Sequence, residues 1–398
     1  MRVPRLRNAL DTDVGRRHVP TWVPAVVATA VWLVVAAYML RWGRSWNLDL
    51  RVYRAAGQAL FHGGAPYSSQ YTASHLQFTY PPFALVVLSP LSLGPLRLIE
   101  VIWWLVNASA LTGVCYLAVT TVTAARGGRA VAVAATVAGV SVLALEPLRS
   151  NMDYGQINVI LMCAVLFDVL RMPAGRQGVL TGLAAAVKLT PLVYLAYFVI
   201  RGDRASFVRG VVAFGAAVVV GFAVLPGASA HFWAHQVFDA GRAGPIGFVS
   251  NQSWNGVLHR APFHGNGPGT ALLIALDAVT LASGLWLSAR LSRSGRPLAS
   301  VFALALVELL ISPISWTHHW SWLVLVPFLL LEKRREAVVV RVLMAVVLAL
   351  AVVAPYWWLT RGWPGASAAD SLSIGGAVLL FVWVVASTGV RRTPVAAR

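Results

Sequence analysis

Residues 22–40 read WVPAVVATAVWLVVAAYML, a run of apolar residues without a single charge. An α-helix rises about 1.5 Å per residue, so about 20 such residues cross the roughly 30 Å hydrocarbon core of a bilayer. The polar segment before this run is long for a cleavable signal, and no clean small-residue cleavage site accompanies the run. The stretch is therefore predicted to be a retained first membrane span.

The composition of the whole chain agrees with this prediction. Of its 398 residues 58% are hydrophobic and 12% are charged, whereas a soluble domain carries about 25% charged residues. Cys115 and Cys163 both lie in apolar runs, which favours neither a disulfide framework nor a metal cluster. Further apolar runs occur at 97–122, 130–147, 157–170, 210–225, 270–289, 298–312, 319–331, 337–358 and 373–390. The predicted fold class is an all-α polytopic membrane protein.

Two apolar stretches interrupt a simple count of spans. Residues 83–93 are short for a crossing and end in a Pro-rich turn, so they are either re-entrant or a short span. Residues 178–200 contain the polar break Lys188-Leu189-Thr190-Pro191, which predicts two short helices. Counting these two helices and leaving 83–93 out gives a bundle of about 12 transmembrane helices.

The net charge of +18 orients this bundle. With the N-terminus inside, 22 of the 32 Lys and Arg residues fall in inner segments and 9 in outer ones, so the positive-inside rule predicts cytoplasmic termini and a membrane partner, not a nucleic acid. The predicted parts are a basic cytoplasmic tail at 1–22, one transmembrane domain at 23–390 and a cytoplasmic tail at 391–398. Its outer loops are 41–82, 226–269 and 359–372, with shorter outer segments at 148–156 and 313–318.

The first outer loop contains a predicted interfacial helix. From Leu50 to Phe61, the residues Val52, Ala56, Ala59 and Leu60 form one apolar stripe. Asp49 precedes the helix and has two compatible interpretations: a helix N-cap, or a general base that reaches a lipid-borne substrate at the bilayer surface.

Lys188 and the histidine pair His318-His319 suggest anion binding at the outer face. Burying a charged lysine between apolar helices costs free energy unless the side chain faces a cavity or an anion. The alternative is that the side chain of Lys188 extends to the surface. His318 or His319 could protonate or bind a leaving phosphate, the alternative being packing in the interfacial aromatic belt. Asp153 and Asn158 are also explained by helix-start chemistry.

Motifs for metals and nucleotides are weak or missing in the sequence. Among the histidines of the 226–269 loop, His231 and His235 have helical ligand spacing but lack the Glu of a His-Glu-x-x-His site. Asp11-Thr12-Asp13, the only Asp-x-Asp, lies in the cytoplasmic tail, and the chain has no Walker motif and no Gly-x-Ser-x-Gly. No metal or nucleotide cofactor is expected.

Five ordered motifs resemble those of the actinobacterial polyprenol-phosphate-mannose-dependent α-1,2-mannosyltransferases of the GT-C superfamily, over roughly residues 20–390. They are DLRVY at 49–53, FTYPPF at 78–83, GQIN at 155–158, KLTP at 188–191 and NQS at 251–253. The resemblance implies a GT-C-like bundle in the plasma membrane with its active site on the outer face. The implied reaction is transfer of mannose from a polyprenyl-phosphate-mannose donor to the 2-hydroxyl of a mannose on a phosphatidylinositol mannoside acceptor, with a tetramannoside becoming a pentamannoside. Asp49 matches the aspartate taken as the catalytic base of these mycobacterial enzymes.

The other roles rest on the residue types. Lys188, His318, His319 and Arg260 are expected to bind the donor phosphate. Residues expected to bind the substrates are Tyr53, Tyr80, Asp153, Gln156, Asn158, Asn251, Gln252 and Trp254. Two alternatives stay open: a polyprenol-phosphate-arabinose donor, and a transporter or flippase of lipid-linked sugars. The transporter is disfavoured because only Asp277 and Glu308 stand out as intramembrane charges.

Overall fold

The computed structural model of the chain describes residues 22–42, 47–62, 64–67, 71, 76–261, 267–332, 336–359 and 369–389. These residues form helices and a single isolated β-bridge between Asn251 and Trp316, without a strand. The α-helices are α1 (Trp22–Trp42), α2 (Leu48–Phe61), α3 (Pro82–Leu88), α4 (Leu96–Val122), α5 (Gly127–Ala144), α6 (Glu146–Tyr154), α7 (Asn158–Leu170), α8 (Val179–Val187), α9 (Leu195–Ile200), α10 (Arg204–Val224), α11 (Pro226–Ala234), α12 (Trp254–Arg260), α13 (Gly267–Arg293), α14 (Pro297–Ile311), α15 (Val326–Leu331), α16 (Val338–Val353) and α17 (Ser371–Gly389). Short 3₁₀ helices occur at Ser89–Ser92, Thr190–Tyr194, Gln236–Phe238, Ala240–Ala243, Thr317–Leu325 and Pro355–Trp357. The predicted terminal tails lie outside the described residues, apart from Trp22.

An all-α polytopic membrane protein is confirmed, but a count of 12 spans is not. In the described residues seven helices are long and apolar enough to cross a bilayer. They are Trp22–Arg41, Leu96–Val122, Gly127–Ala144, Arg204–Val224, Gly267–Arg293, Val338–Trp357 and Ser371–Thr388. The number is eight if the bent pair α6–α7 forms one broken span, and seven if the pair is a re-entrant loop. Other predicted spans are shorter helices. One of them, α14, has 15 residues and rises only about 22 Å, which is less than the roughly 30 Å hydrocarbon core.

The two stretches that interrupted the span count have distinct structures. As predicted, Lys188 breaks the 178–200 run: α8 ends at Val187, and Lys188 is extended with φ −146° and ψ 131°. Residues 83–93 lie in α3 and the following 3₁₀ turn, and α3 packs against α2 and α10. With seven residues, α3 rises about 10 Å and does not cross a bilayer by itself.

The helix that was predicted to be interfacial is present as α2, but it begins earlier than predicted. It starts at Leu48, and Asn47 before it has the left-handed conformation with φ 56°. Asp49 therefore lies in the first turn, and its predicted N-cap role is wrong. The buried face includes Leu50 and Tyr53, which the predicted stripe omitted.

The elbow between α6 and α7 lies beside the start of α2 and beside α4. The two helix axes differ by 113°, and the turn uses Gly155 at φ 66°, a conformation that glycine adopts without strain. Asn47 N donates to Asp153 O at 2.9 Å, and Trp103 Nε1 donates to Gly155 O at 2.7 Å. Because α6 ends at Tyr154, Asp153 lies in its last turn, and the explanation of Asp153 by helix-start chemistry is wrong.

The most buried helix of the bundle is α14. All its residues from 298 to 307 are buried, and the next residue is Glu308. This helix packs against α13, α17 and the Thr190–Tyr194 turn. The end of the bundle at which α14 finishes therefore lies next to the Lys188 break.

Candidate active site

A cavity of about 920 Å³ lies where the predicted first outer loop, the α6–α7 elbow, the Lys188 break and residues 236–250 and 312–319 meet. Seven of the 13 residues predicted for the site line it: Asp49, Tyr53, Tyr80, Gln156, Lys188, His318 and His319. They come from segments up to 270 residues apart in the chain, which only the fold brings together. A volume of this size accommodates a substrate larger than one sugar.

Asp49 lies at the centre of a polar network in this cavity. The Gln156 amide hydrogen-bonds the Asp49 carboxylate, and Gln156 Oε1 accepts hydrogen bonds from the Tyr53 hydroxyl at 3.2 Å and the Tyr80 hydroxyl at 3.0 Å. Burial raises the pKa of Asp49 to about 6, against the opposing effects of Gln156 and the Lys188 charge. Such a carboxylate is ionised near neutral pH and basic enough to accept a proton from a hydroxyl group in a transition state.

Lys188 is held beside Asp49 by neutral partners. Its Nζ donates to Asn158 Oδ1 at 2.6 Å and to His319 Nε2 at 2.9 Å, and lies 5.4 Å from the centre of the Tyr80 ring. Lys188 is only 9% exposed, so it does not extend to the surface. Within the described part of the chain, its ammonium forms no ion pair. A buried cation without a paired anion is suited to an anionic ligand.

The two histidines differ in what their ring nitrogens do. His319 Nε2 accepts from the lysine ammonium, and the ring's other nitrogen hydrogen-bonds the Ile314 carbonyl. In contrast, both ring nitrogens of the buried His318 have no partner among the described residues. The His318 ring packs edge-on against Tyr154, with centroids 5.4 Å apart. Of the two histidines, only His318 therefore has ring nitrogens that no described residue hydrogen-bonds.

Arg260 does not line the cavity. Its Nε donates to Asp370 Oδ1 at 2.8 Å, and its Nη atoms donate to the carbonyls of Phe248 at 2.9 Å and Asn251 at 3.0 Å. The guanidinium thereby joins α12 to the start of α17. This geometry gives the predicted role in phosphate binding no support.

The NQS motif and Trp254 lie behind the cavity wall. Asn251 Nδ2 donates to Ile246 O at 2.9 Å, and its Oδ1 accepts from Ser315 N at 2.8 Å. Gln252 Oε1 accepts from Leu372 N at 3.1 Å, and Trp254 Nε1 donates to a threonine hydroxyl in α13. These three residues fix the cavity wall, and their polar atoms are already used.

Asp153 and Asn158 also lie outside the lining of the large cavity. Asn158 opens α7 and orients Lys188 through its amide oxygen, while its Nδ2 donates to Asn151 Oδ1 at 3.3 Å. Asp153 contributes its backbone carbonyl to Asn47. Of the two, Asn158 therefore acts on the site indirectly, through Lys188.

Arg242 is a cation of the cavity that the sequence analysis counted only as an outer basic residue. Its Nε donates to Gln236 O at 3.2 Å and its Nη2 to Thr79 O at 3.3 Å. The guanidinium lies 5.7 Å from the centre of the Phe232 ring. Arg242 joins the segment before α3 to the 236–243 segment. No motif surrounds Arg242, so the sequence carried no specific signal for it.

Possible metal ligands are few in this part of the molecule. Among the described residues, no three His, Cys, Asp or Glu side chains form a group able to hold a metal ion. The His231 and His235 rings are 5.4 Å apart but do not line the cavity. His264, which also belongs to this loop, lies outside the described residues. The Asp, Lys and Arg side chains among the described residues that line the cavity are Asp49, Lys188, Asp239 and Arg242.

Comparison with known proteins gives one consistent result. Residues 78–313 match the model of glycosyltransferase family 87. Two Mycobacterium tuberculosis proteins are similar: a polyprenol-phosphate-mannose-dependent alpha-(1-2)-phosphatidylinositol pentamannoside mannosyltransferase, 38% identical over 80% of this chain and 74% of its own, and a phosphatidylinositol mannoside mannosyltransferase with the same donor dependence, 31% identical over 82% and 80%. A Mycolicibacterium smegmatis protein, also a polyprenol-phosphate-mannose-dependent alpha-(1-2)-phosphatidylinositol pentamannoside mannosyltransferase, is 35% identical over 76% of this chain and 72% of its own. The chain therefore belongs to glycosyltransferase family 87 and is a glycosyltransferase.

Proposed function

We propose that this enzyme transfers mannose from polyprenyl phosphate mannose to the 2-hydroxyl of a mannose on a phosphatidylinositol mannoside. The proposed step converts a tetramannoside to a pentamannoside. The names of the similar mycobacterial proteins support the donor and the class of acceptor. The observation that carries the proposal is that Asp49 and the unpaired cation Lys188 line one cavity.

The proposed reaction is a single displacement with inversion. The 2-hydroxyl oxygen of the acceptor attacks the anomeric carbon of the β-linked donor mannose, and Asp49 accepts the hydroxyl proton. The bond between the anomeric carbon and the phosphate oxygen breaks, and its electron pair leaves with the polyprenyl phosphate. The product linkage is α-1,2, and the general base requires an ionised Asp49, as its pKa of about 6 provides near neutral pH.

The cations of the cavity are suited to stabilise the departing phosphate. Lys188 supplies a positive charge, and the free ring nitrogens of His318 supply a hydrogen bond. Fixed donors aimed at a charge that develops in the transition state stabilise it strongly in a site that excludes water. A lipid monophosphate leaves with less charge than a nucleotide diphosphate, so we propose that these side chains act without a metal ion.

The proposed active site faces the outer side of the plasma membrane, with both termini in the cytoplasm. The distribution of Lys and Arg supports this orientation. Six of the seven predicted residues that line the cavity belong to predicted outer segments or to the Lys188 break, and the seventh, His319, directly follows the outer segment 313–318. A membrane-bound donor and a membrane-bound acceptor then reach the same cavity from the bilayer.

The proposal is tested by measuring mannose transfer by the purified protein in detergent. Radiolabelled polyprenyl phosphate mannose is incubated with a phosphatidylinositol tetramannoside, and the lipid product is resolved by size and by digestion with an α-1,2-mannosidase. We expect a pentamannoside from the wild type and none from Asp49→Asn. We expect a wild-type rate from Asp277→Asn, which changes a carboxylate in α13 that does not line the cavity.

Other outcomes would replace the proposal. Transfer from polyprenyl phosphate arabinose, with none from the mannose donor, would change the donor sugar. Movement of lipid-linked sugar across liposomes containing the purified protein, with no transfer to any glycolipid, would indicate a transporter.

A further inference from the structure

A second, much smaller cavity lies behind Lys188. Its volume is about 20 Å³, which is close to the space that one water molecule needs. The polar residues that line it are Asn158, Lys188, Thr190, Tyr194, Glu308 and His319. No sugar or phosphate group fits in this space, so its residues contact the substrates only if they also line the large cavity, as Lys188 does.

Glu308 lies in this small cavity and takes no part in the proposed displacement. It follows ten consecutive buried residues of α14, where a carboxylate is costly unless its charge is compensated. The Tyr194 hydroxyl donates a hydrogen bond to Glu308 Oε2, and the side chains of Thr190 and Trp322 also hydrogen-bond this carboxylate. Burial opposes the charge of this carboxylate, and the three hydrogen bonds together with the Lys188 charge favour its ionised form.

The positive charge that faces Glu308 is the ammonium of Lys188. Both residues line the small cavity, and the charges of Glu308 and Asp49 both act on the ammonium. Glu308 forms no ion pair closer than 4 Å with a described cation, so the attraction acts across the cavity. This arrangement leaves the lysine free on the side of the large cavity.

The use of lysine at this position is informative. The chain has 32 Lys and Arg residues, and only Lys188 and Lys333 are lysines. Arginine stays charged in any protein environment, whereas a buried lysine loses its proton readily. A buried lysine that must be protonated before the phosphate arrives therefore needs a negative charge supplied by the protein.

We propose that Glu308 is a positioning residue that keeps Lys188 protonated and directed towards the donor phosphate. The proposal rests on the role of Lys188 in the proposed function. Asp49 cannot serve as the lasting counter-charge, because it becomes neutral when it accepts the acceptor's proton. Glu308 lines the small cavity and not the large one, so neither substrate exchanges a proton with it while the sugar is transferred.

The other titratable groups around Lys188 do not replace this charge. Tyr80 faces it from the large cavity, His318 and His319 face it from the Thr317–Leu325 helix, and Tyr194 lies behind it. The tyrosines and the neutral imidazoles carry no negative charge at pH 7. Among the described residues near Lys188, Asp49 and Glu308 supply the two negative charges that act on it.

The test measures the protonation of Lys188 directly. Trace acylation labels only neutral amines, so the labelling rate of Lys188 against pH, read by peptide mass spectrometry with Lys333 as internal reference, reports its midpoint. An opposite charge nearby shifts such a midpoint by about 1–3 pH units. We expect Glu308→Gln to lower the Lys188 midpoint by about one unit or more, and Asp277→Asn to leave it unchanged.

A second variant covers the case in which Glu308→Gln does not fold. Tyr194→Phe keeps the carboxylate but removes the hydroxyl that stabilises its ionised form, so we expect a smaller shift in the same direction. A wild-type Lys188 midpoint in whichever of these variants folds would overturn the proposal. The labelling needs no enzymatic turnover, so its result stands even if the wild type fails to transfer mannose.

Kinetics then connect the charge to the reaction. Above the wild-type midpoint, a shift of one unit lowers the protonated fraction of Lys188 about tenfold. We expect a similar fall in kcat/KM for the donor in Glu308→Gln, with the KM of the acceptor unchanged and substantial recovery in Glu308→Asp. Equal losses in the Gln and Asp variants would show a packing role and overturn the proposal.

Discussion

If Asp49 is the general base, the acid limb of the pH profile of transfer reports its ionisation. With a pKa of about 6, about nine-tenths of the carboxylate is ionised at pH 7 and about one-tenth at pH 5. With the usual pKa of 3.8, more than about nine-tenths would be ionised at both values. Lowering the pH from 7 to 5 is therefore expected to reduce kcat/KM about tenfold.

The same pKa predicts the sign of a stability change. Because the folded state raises this pKa from 3.8 to about 6, the folded protein binds more protons than the unfolded chain between these values, and stability rises as the pH falls through 6. At pH 8 the ionised carboxylate lowers stability. One pKa unit corresponds to about 1.4 kcal/mol, and since Asp49 partly faces the open cavity, we expect a cost of about 1–2 kcal/mol. Asp49→Asn should thus raise the Tm at pH 8 while it abolishes transfer.

The assay follows both quantities on the same preparations. Initial rates at subsaturating acceptor are measured from pH 4.5 to 8.5, with the residual rate of Asp49→Asn subtracted. Samples returned from pH 5 to pH 7 must regain their rate, which separates titration from denaturation. A rate that is flat between pH 7 and 5, or an Asp49→Asn variant that still transfers mannose, would refute the assignment of the base.

Three more predictions concern a residue expected to contact the substrates, a residue expected to stabilise the cavity wall, and the need for a metal ion. His318→Ala removes a hydrogen bond to the departing phosphate and should lower kcat about 10²–10³-fold. If Asn158→Ala lowers kcat this much and His318→Ala does not, the phosphate is stabilised by Lys188, which Asn158 orients, and not by His318. Arg260→Ala leaves the Asp370 carboxylate unpaired and should lower the free energy of unfolding by about 3–5 kcal/mol. The double variant with Asp370→Asn should recover part of this free energy. Loss of donor binding at an unchanged Tm would contradict the structural role of Arg260. EDTA should leave the rate unchanged, and inhibition reversed by added Mg²⁺ or Zn²⁺ would show a metal requirement.

The fold was predictable where one segment carries its own signal. The run at 22–40 forms α1, and Lys188 with the following Pro191 ends α8 as expected. The count of 12 spans stays unconfirmed, because apolar composition alone does not separate a crossing helix from a shorter one buried among its neighbours. Residues 297–311 and 317–331 are as apolar as many spans, yet they form short helices of the bundle.

The site was predictable in part for a related reason. Asp49 and Lys188 stand out because a charge beside an apolar run needs an explanation. Arg242 stands out only once the structure shows it at the cavity, since an arginine in a polar outer loop is ordinary in sequence. The difference between His318 and His319 depends on the Lys188 ammonium and the Ile314 carbonyl, which no local pattern reveals.

The motifs that carry the family resemblance differ physically in what their polar atoms do. Asp49 and Lys188 present charge to the cavity, whereas Asn251 and Gln252 use their amides on backbone groups of residues 246, 315 and 372. Both kinds are sensitive to substitution, because an unpaired buried amide or a displaced cavity wall is as damaging as a missing base. Sensitivity of the rate therefore does not identify a substrate contact by itself. The distinguishing measurement is stability: removal of a wall residue should lower the Tm together with the rate, and removal of Asp49 should raise the Tm while the rate is lost.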